Sequence, residues 1–193
     1  MNGHRLFVAV ALPEPIRKEL RAWCEHAKGN VSFQKWVHPD DWHITLKFLG
    51  DSSVENLPEI KRLLGEVENS VGAFDLAIKG VGWFGPPASP SILWAGVQDH
   101  TRTLEVLHKQ VDRAMGQVGF PAETRSYQPH VTLARRYQGI QAFAKDRLPS
   151  LFARQPEGTM RWQVREFALY ASHLGRTPMY EVLETFQLQP APN

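Results

Sequence analysis

Two short segments place the same pair of residue types at the same spacing: His43 and Thr45 in WHITLKFLG, and His130 and Thr132 in PHVTLAR. Successive side chains of a strand point to opposite faces. Each histidine therefore shares a face with its threonine, while Ile44 and Leu46, or Val131 and Leu133, share the other. Histidine titrates near pH 6.5 without special tuning, so two of them can divide a proton-transfer reaction. One protonates a leaving oxygen and the other deprotonates an attacking one. A threonine hydroxyl one strand step away can donate a hydrogen bond to a phosphate oxygen lying between the rings. The constellation suits in-line attack on a phosphodiester, with no obligatory metal.

Competing chemistries find less support. There is no HExxH, no cysteine cluster and no carboxylate at a metal-ligand spacing from either histidine. A Walker-type phosphate loop and a G-x-S-x-G elbow are also missing, which disfavours an NTPase and a serine hydrolase of the usual kind. Asp40 and Asp41 precede His43 in a polar turn, where turn formation is the default role. His4, His26, His38, His100, His108 and His173 have no recurrent setting and are read as surface or locally hydrogen-bonded groups.

The elements that must position the two motifs are legible as periodicities. LFVAVAL, Leu6 to Leu12, reads as a buried strand rather than the core of a signal peptide, because it is short and is followed at once by PEP. Ile16, Leu20, Trp23 and Ala27 then recur at helical spacing, with proline near the start and Gly29 at the stop. The short VSFQKWV segment and the HPDD turn lead into the first motif. A second helical pattern runs from Leu57 to Val67. The second half replays the first: SILWAGV is a strand, Leu104, Leu107, Val111, Met115 and Val118 share a helix face, and the chain reaches PHVTLAR. Ala9 to His43 spans 34 residues and Ala95 to His130 spans 35, as a duplicated strand-helix-strand-strand unit requires. Near Arg165 and Glu166 the apolar phase of RWQVREFALYASHL changes, as at a bulge. GRTP then turns the chain into YEVLETFQL, which alternates cleanly. The fold class expected is α+β: two pseudo-symmetric lobes of antiparallel or mixed sheet with flanking helices around a central cleft, each lobe carrying one H-x-T motif. Residues 1–193 are read as a single bilobal domain, with the polar, proline-rich tail frayed from about residue 189.

Composition bounds the rest. A chain of 193 residues buries roughly 70% of its unfolded surface on folding. With 22 Lys and Arg against 20 Asp and Glu, the net charge is only +2, so nucleic acid is not held by a broad basic surface. Local contacts must do the recognition. The single cysteine, Cys24, lies within the first helical pattern, where burial is expected, and fits a reducing, cytoplasmic setting. No apolar run approaches the roughly 20 residues of a membrane span. Trp36, Trp42 and Trp94 are assigned to the core.

With both motifs and their flanks in view, the chain resembles the two-histidine (2H) phosphoesterase superfamily, and within it the LigT-like RNA 2′,3′-cyclic phosphodiesterases of the 2′-5′ RNA ligase family. LFVAVALP, WV…HITLKFLG, ILWAGV, YQPHVTLAR and LYASHLG…PMYEVL carry the resemblance over nearly the whole chain. It implies that His43 protonates the leaving ribose oxygen, that His130 activates water, that Thr45 and Thr132 hold the phosphate, and that a 2′-phosphate end is the product. Implied substrates are RNA with a 2′,3′-cyclic phosphate terminus or cyclic nucleotides, with no cofactor, no metal, no membrane and no obligate protein partner. Arg135 matches the arginine that closes the second motif, whereas strand parity puts Arg136 on the His130 face. Parity likewise brings Lys47 onto the His43 face. Tyr127, three residues before His130, is a candidate to stack a base, as are the loop residues Trp83 and Phe84. Ser91 stands where family members often carry arginine. Two further readings use the same site: a reversible 2′-5′ RNA ligase, and a non-catalytic nucleotide- or RNA-binding module.

Overall fold

The run Leu6–Leu12 is buried except at Ala11, and it lies in the first strand of a computed structural model that describes residues 3–144, 148 and 160–190. In chain order the elements are β1 (Gly3–Ala11), α1 (Glu14–Lys28), β2 (Phe33–Trp36), β3 (His43–Ser53), α2 (Leu57–Glu68), β4 (Phe74–Phe84), β5 (Ile92–Gln98), α3 (Thr103–Gln117), β6 (His130–Tyr137), β7 (Arg161–Val164), β8 (Glu166–Ser172) and β9 (Tyr180–Gln187). Helices α1, α2 and α3 bury the stripes their periodicity predicts. In α1 these are Ile16, Leu20, Trp23 and Ala27, with Cys24 beside them. Helix α3 adds His108 to its apolar face.

All strand pairings are antiparallel, and the strands form one sheet in the order β7-β4-β5-β6-β3-β1-β8-β9, with β2 also on β6. The seam between the halves lies along one edge of β6. Its start pairs with β3 through Val131 and Ile44, and its end pairs with β2 from Ala134 to Tyr137. One face of the sheet carries the main core with the helices. A smaller cluster of Phe7, Ala9, Ala168 and Tyr170 sits apart from that core.

Three features differ from expectation. Strand β4 leaves no clear signal in the sequence, because Lys79, Gly80 and Gly82 interrupt its alternation. Gly80 adopts φ +75° at a register shift, and a Cβ on Gly82 would lie 2.3 Å from the Trp94 ring, so both glycines are demanded by geometry. The phase change at Arg165 is not a bulge within one strand but a break between two: β7 pairs with β4, whereas β8 pairs with β1 on the other side of the seam. Gln189 is tied rather than frayed. Its N–H donates to Val71 O, and its carbonyl accepts from Ala73 N. Residues 191–193 lie outside the described residues.

Candidate functional site

The Ile44–Val131 pair fixes the geometry of the site. Continuing that antiparallel register sets His43 opposite Thr132 and Thr45 opposite His130, so the four side chains form a square on the sheet face away from the helices. The two imidazoles are held alike. His43 Nδ1 lies 2.7 Å from the Asp41 carbonyl, and His130 Nδ1 lies 2.7 Å from the Gln128 carbonyl. A carbonyl oxygen only accepts, so Nδ1 carries the proton in both rings and Nε2 is the atom left for chemistry. Neither threonine hydroxyl has a partner among the described residues.

Aromatic walls enclose each ring. His43 contacts Phe7 at 4.7 Å between centroids and Tyr180 at 5.1 Å. Phe84 stands edge-on to His130 at 5.0 Å, and Trp94, the cross-strand neighbour of Thr132, lies 6.2 Å from it. Burial is the main influence on both imidazoles and disfavours their charged forms. It outweighs the carbonyl acceptors and pushes His43 down to about 4. His130 is also lowered, first by burial and further by the Arg135 charge.

A β-bulge at the same place in each motif decides which basic residues reach the site. On β3, Thr45 and Lys47 pair with the consecutive residues Ala9 and Val8, leaving Leu46 extra. On β6, Thr132 and Ala134 pair with the consecutive residues Trp94 and Leu93, leaving Leu133 extra. Each bulge inverts the parity of the rest of its strand. Lys47 therefore turns into the core, 2% exposed, where its ammonium bonds the Asp112 carboxylate and the Pro121 carbonyl. This corrects its expected place on the His43 face. The second bulge brings Arg135 to the site instead of Arg136. The Arg135 guanidinium has no partner among the described residues, and its charge acts on His43, His130 and Tyr180. Arg136, at φ +59°, reaches Gln34 at 3.5 Å.

Tyr127 is a strut rather than a base platform. One face of its ring stacks on His108 at 3.9 Å and 7°, and its hydroxyl donates to Thr45 O at 3.0 Å. His108 Nδ1 bonds Leu46 O at 2.8 Å, so both residues brace the bulge. Parity could not locate Tyr127, because it precedes the strand. Trp83 and Phe84, expected in a loop, end strand β4 instead, where Phe84 lies against His130 and Trp83 packs on Phe143. Ser91 joins β4 to the end of β6, donating to Phe84 O and accepting from Arg136 N.

Sequence reasoning misses three contributors. Trp94, expected in the core, lines the site. Phe48 is 64% exposed beside Phe7, at 6.1 Å between centroids, where the first bulge directs it. Asp41 supplies the carbonyl that orients His43. Among the described residues no group of three or more His, Cys, Asp or Glu is placed to hold a metal ion. The surface that remains offers two imidazoles, two hydroxyls and one guanidinium on the same face of the sheet, which suits a phosphate.

Comparison with known proteins places the chain in a family. The family described as LigT like Phosphoesterase matches residues 10–94 and 96–180, one match in each half of the chain. An RNA 2′,3′-cyclic phosphodiesterase of Geobacillus stearothermophilus is 33% identical over 193 residues, covering 100% of this chain and 60% of that protein, so the chain spans less than two thirds of that relative. One of Bacillus subtilis is 32% identical, covering 94% of this chain and 95% of that protein. E. coli LigT complexed with 3′-AMP superposes with a TM-score of 0.76 at 27% identity, covering 97% of this chain and 99% of that one.

Proposed function

Since the chain belongs to the LigT-like phosphoesterase family, we propose that it hydrolyses the 2′,3′-cyclic phosphate of RNA ends or nucleotides to a 2′-phosphate, with no metal. The observation that carries this reading is the pair of imidazoles, each with Nδ1 on the carbonyl two residues back and Nε2 free beside an unpartnered threonine. Residues 1–193 act in this reading as one bilobal unit, the seam between β3 and β6 being the floor of its cleft.

The phosphate sits over the square. Thr45 and Thr132 donate to its non-bridging oxygens, and Arg135 offsets its charge. Water attacks phosphorus in line with the 3′ oxygen, His130 Nε2 takes the water proton, and His43 Nε2–H gives its proton to the 3′ oxygen as the P–O bond breaks. The ribose then lies on the His43 side, where the exposed Phe48 ring offers a face to the base. Buried Cys24, pushed up to about 12 mainly by burial, fits a reducing cytoplasm, and among the described residues no helix is long and apolar enough to cross a membrane.

The pH profile is set by these shifts. A base must be neutral and an acid protonated, and burial depresses both imidazoles. In the free protein the base stays available to lower pH, while the acid is lost sooner as pH rises. The kcat/KM profile is therefore bell-shaped with its optimum below pH 6.5. A bound phosphate anion favours the imidazolium, so the kcat optimum lies at higher pH. Parallel profiles of both constants check this, and a kcat/KM optimum above pH 8 contradicts it. Turnover of cyclic-ended against 2′-5′-linked oligonucleotides tests the substrate class. Faster cleavage of the linkage would favour the ligase reading, and stoichiometric binding without product would favour the binding module.

A further inference from the structure

Asp41 is 7% exposed, and its carboxylate has no Lys or Arg partner among the described residues. Two backbone amides close it instead. Met179 N–H donates to Oδ1 at 2.8 Å and Oδ2 at 3.0 Å, and Tyr180 N–H donates to Oδ1 at 3.1 Å. These amides lie 138 and 139 residues away, at the entrance to β9. The same residue's carbonyl accepts from His43 Nδ1, and the Tyr180 ring stands edge-on to His43 at 84°. A buried carboxylate held only by amides is costly, since a neutral acceptor would serve the amides as well.

The surroundings of His43 supply a reason for the charge. From β6 it faces Arg135 and His130, both of which oppose its protonation. From β1, β8 and β9 it faces the rings of Phe7, Tyr170 and Tyr180. Among the described residues, Asp41 is the one negative group acting on it. We infer that Asp41 is a positioning residue of the reaction, whose carboxylate docks the β8–β9 hairpin against His43 and whose charge keeps that imidazole able to carry its proton. This inference rests on the proposed role of His43 as the acid, but its test does not depend on turnover.

Asp41→Asn keeps an acceptor for both amides and removes the charge. In this variant the Met179 and Tyr180 amides stay protected from hydrogen exchange. The protonated fraction of the His43 ring at a given pH, read by NMR titration, falls about threefold to tenfold, the lower end of what one close opposite charge confers. For a 2′,3′-cyclic nucleotide, kcat falls by a similar factor with little change in KM. Asp41→Ala in addition frees the two amides to exchange. An unchanged His43 titration in Asp41→Asn overturns the inference. So does an equal loss of activity when the substitution is made on a His43→Ala background, where no ring remains to act through. The wild-type protein provides a check that needs no variant: rapid exchange at Met179 and Tyr180 would show that the carboxylate does not hold the hairpin. Turnover of cyclic nucleotide by the wild type, scored separately, stands or falls with the proposed function alone.

Discussion

Replacing His43 or His130 with alanine lowers kcat for a 2′,3′-cyclic nucleotide by about 10²- to 10⁴-fold, the usual worth of a positioned acid or base. The two losses are similar, because each ring performs one of two proton transfers in the same step. Their combination costs much less than the product, since a site lacking one proton carrier gains little from the other. Neither change breaks the fold. Among the described residues each ring makes one hydrogen bond, to the backbone carbonyl two residues back, and the strand pairing through Ile44 and Val131 involves neither side chain. His43→Ala loses contacts with three rings, Phe7, Tyr170 and Tyr180, against two, Phe84 and Trp94, for His130→Ala, and so lowers Tm somewhat more. Steady-state kinetics beside thermal unfolding checks both statements. Turnover within threefold of wild type in a folded His130→Ala protein contradicts the assigned chemistry.

Asp112→Ala destabilises the protein by about 3–5 kcal/mol, the range for a buried ion pair that loses one partner. Lys47 is 2% exposed and has no second carboxylate among the described residues, so the substitution leaves an ammonium in the core with the Pro121 carbonyl as its remaining described partner. The reverse change is milder. Lys47→Met fills the same space with an apolar chain, and Asp112, at 19% side-chain exposure, keeps water and the Glu123 amide. Asp112 is held below the ordinary carboxylate range: burial opposes this, but bonds to Lys47 and Glu123 prevail. A depressed carboxylate contributes stability above its unfolded pKa and loses it as pH falls through the folded one, so the gap between wild type and Asp112→Ala narrows in acid. Urea unfolding at pH 7 and pH 3 measures this. A cost under 1 kcal/mol at neutral pH, or a larger cost for Lys47→Met, contradicts the assigned role of the pair.

That ion pair also marks where the sequence stops being readable. The helices are legible because Ile16, Leu20, Trp23 and Ala27, and likewise Leu104, Leu107, Val111 and Met115, repeat at a helical period over several turns. The two His-Thr faces are legible because alternation is unbroken from His43 to Thr45 and from His130 to Thr132. Beyond each threonine it is not. Leu46 and Leu133 look like ordinary inward residues, and an apolar side chain gives no sign that it occupies a bulge. Parity therefore carries Lys47 into the site and favours Arg136, whereas the motif match to Arg135 agrees with the side chain that faces the histidines. Strand β4 is hidden by the glycines that let it pack under Trp94. Asp41 escapes for another reason: its partners are backbone amides at Met179 and Tyr180, and a contact across that separation leaves no mark on local spacing.

The most direct test of the central claim is phosphorus NMR of the product formed when EDTA-treated protein meets a short RNA ending in a 2′,3′-cyclic phosphate. The expected product is a single 2′-phosphate monoester, formed at the same rate with and without chelator. A 3′-phosphate, a mixture of isomers or turnover abolished by EDTA would contradict the assignment of His43 to the 3′ oxygen and of the two histidines to a metal-free site.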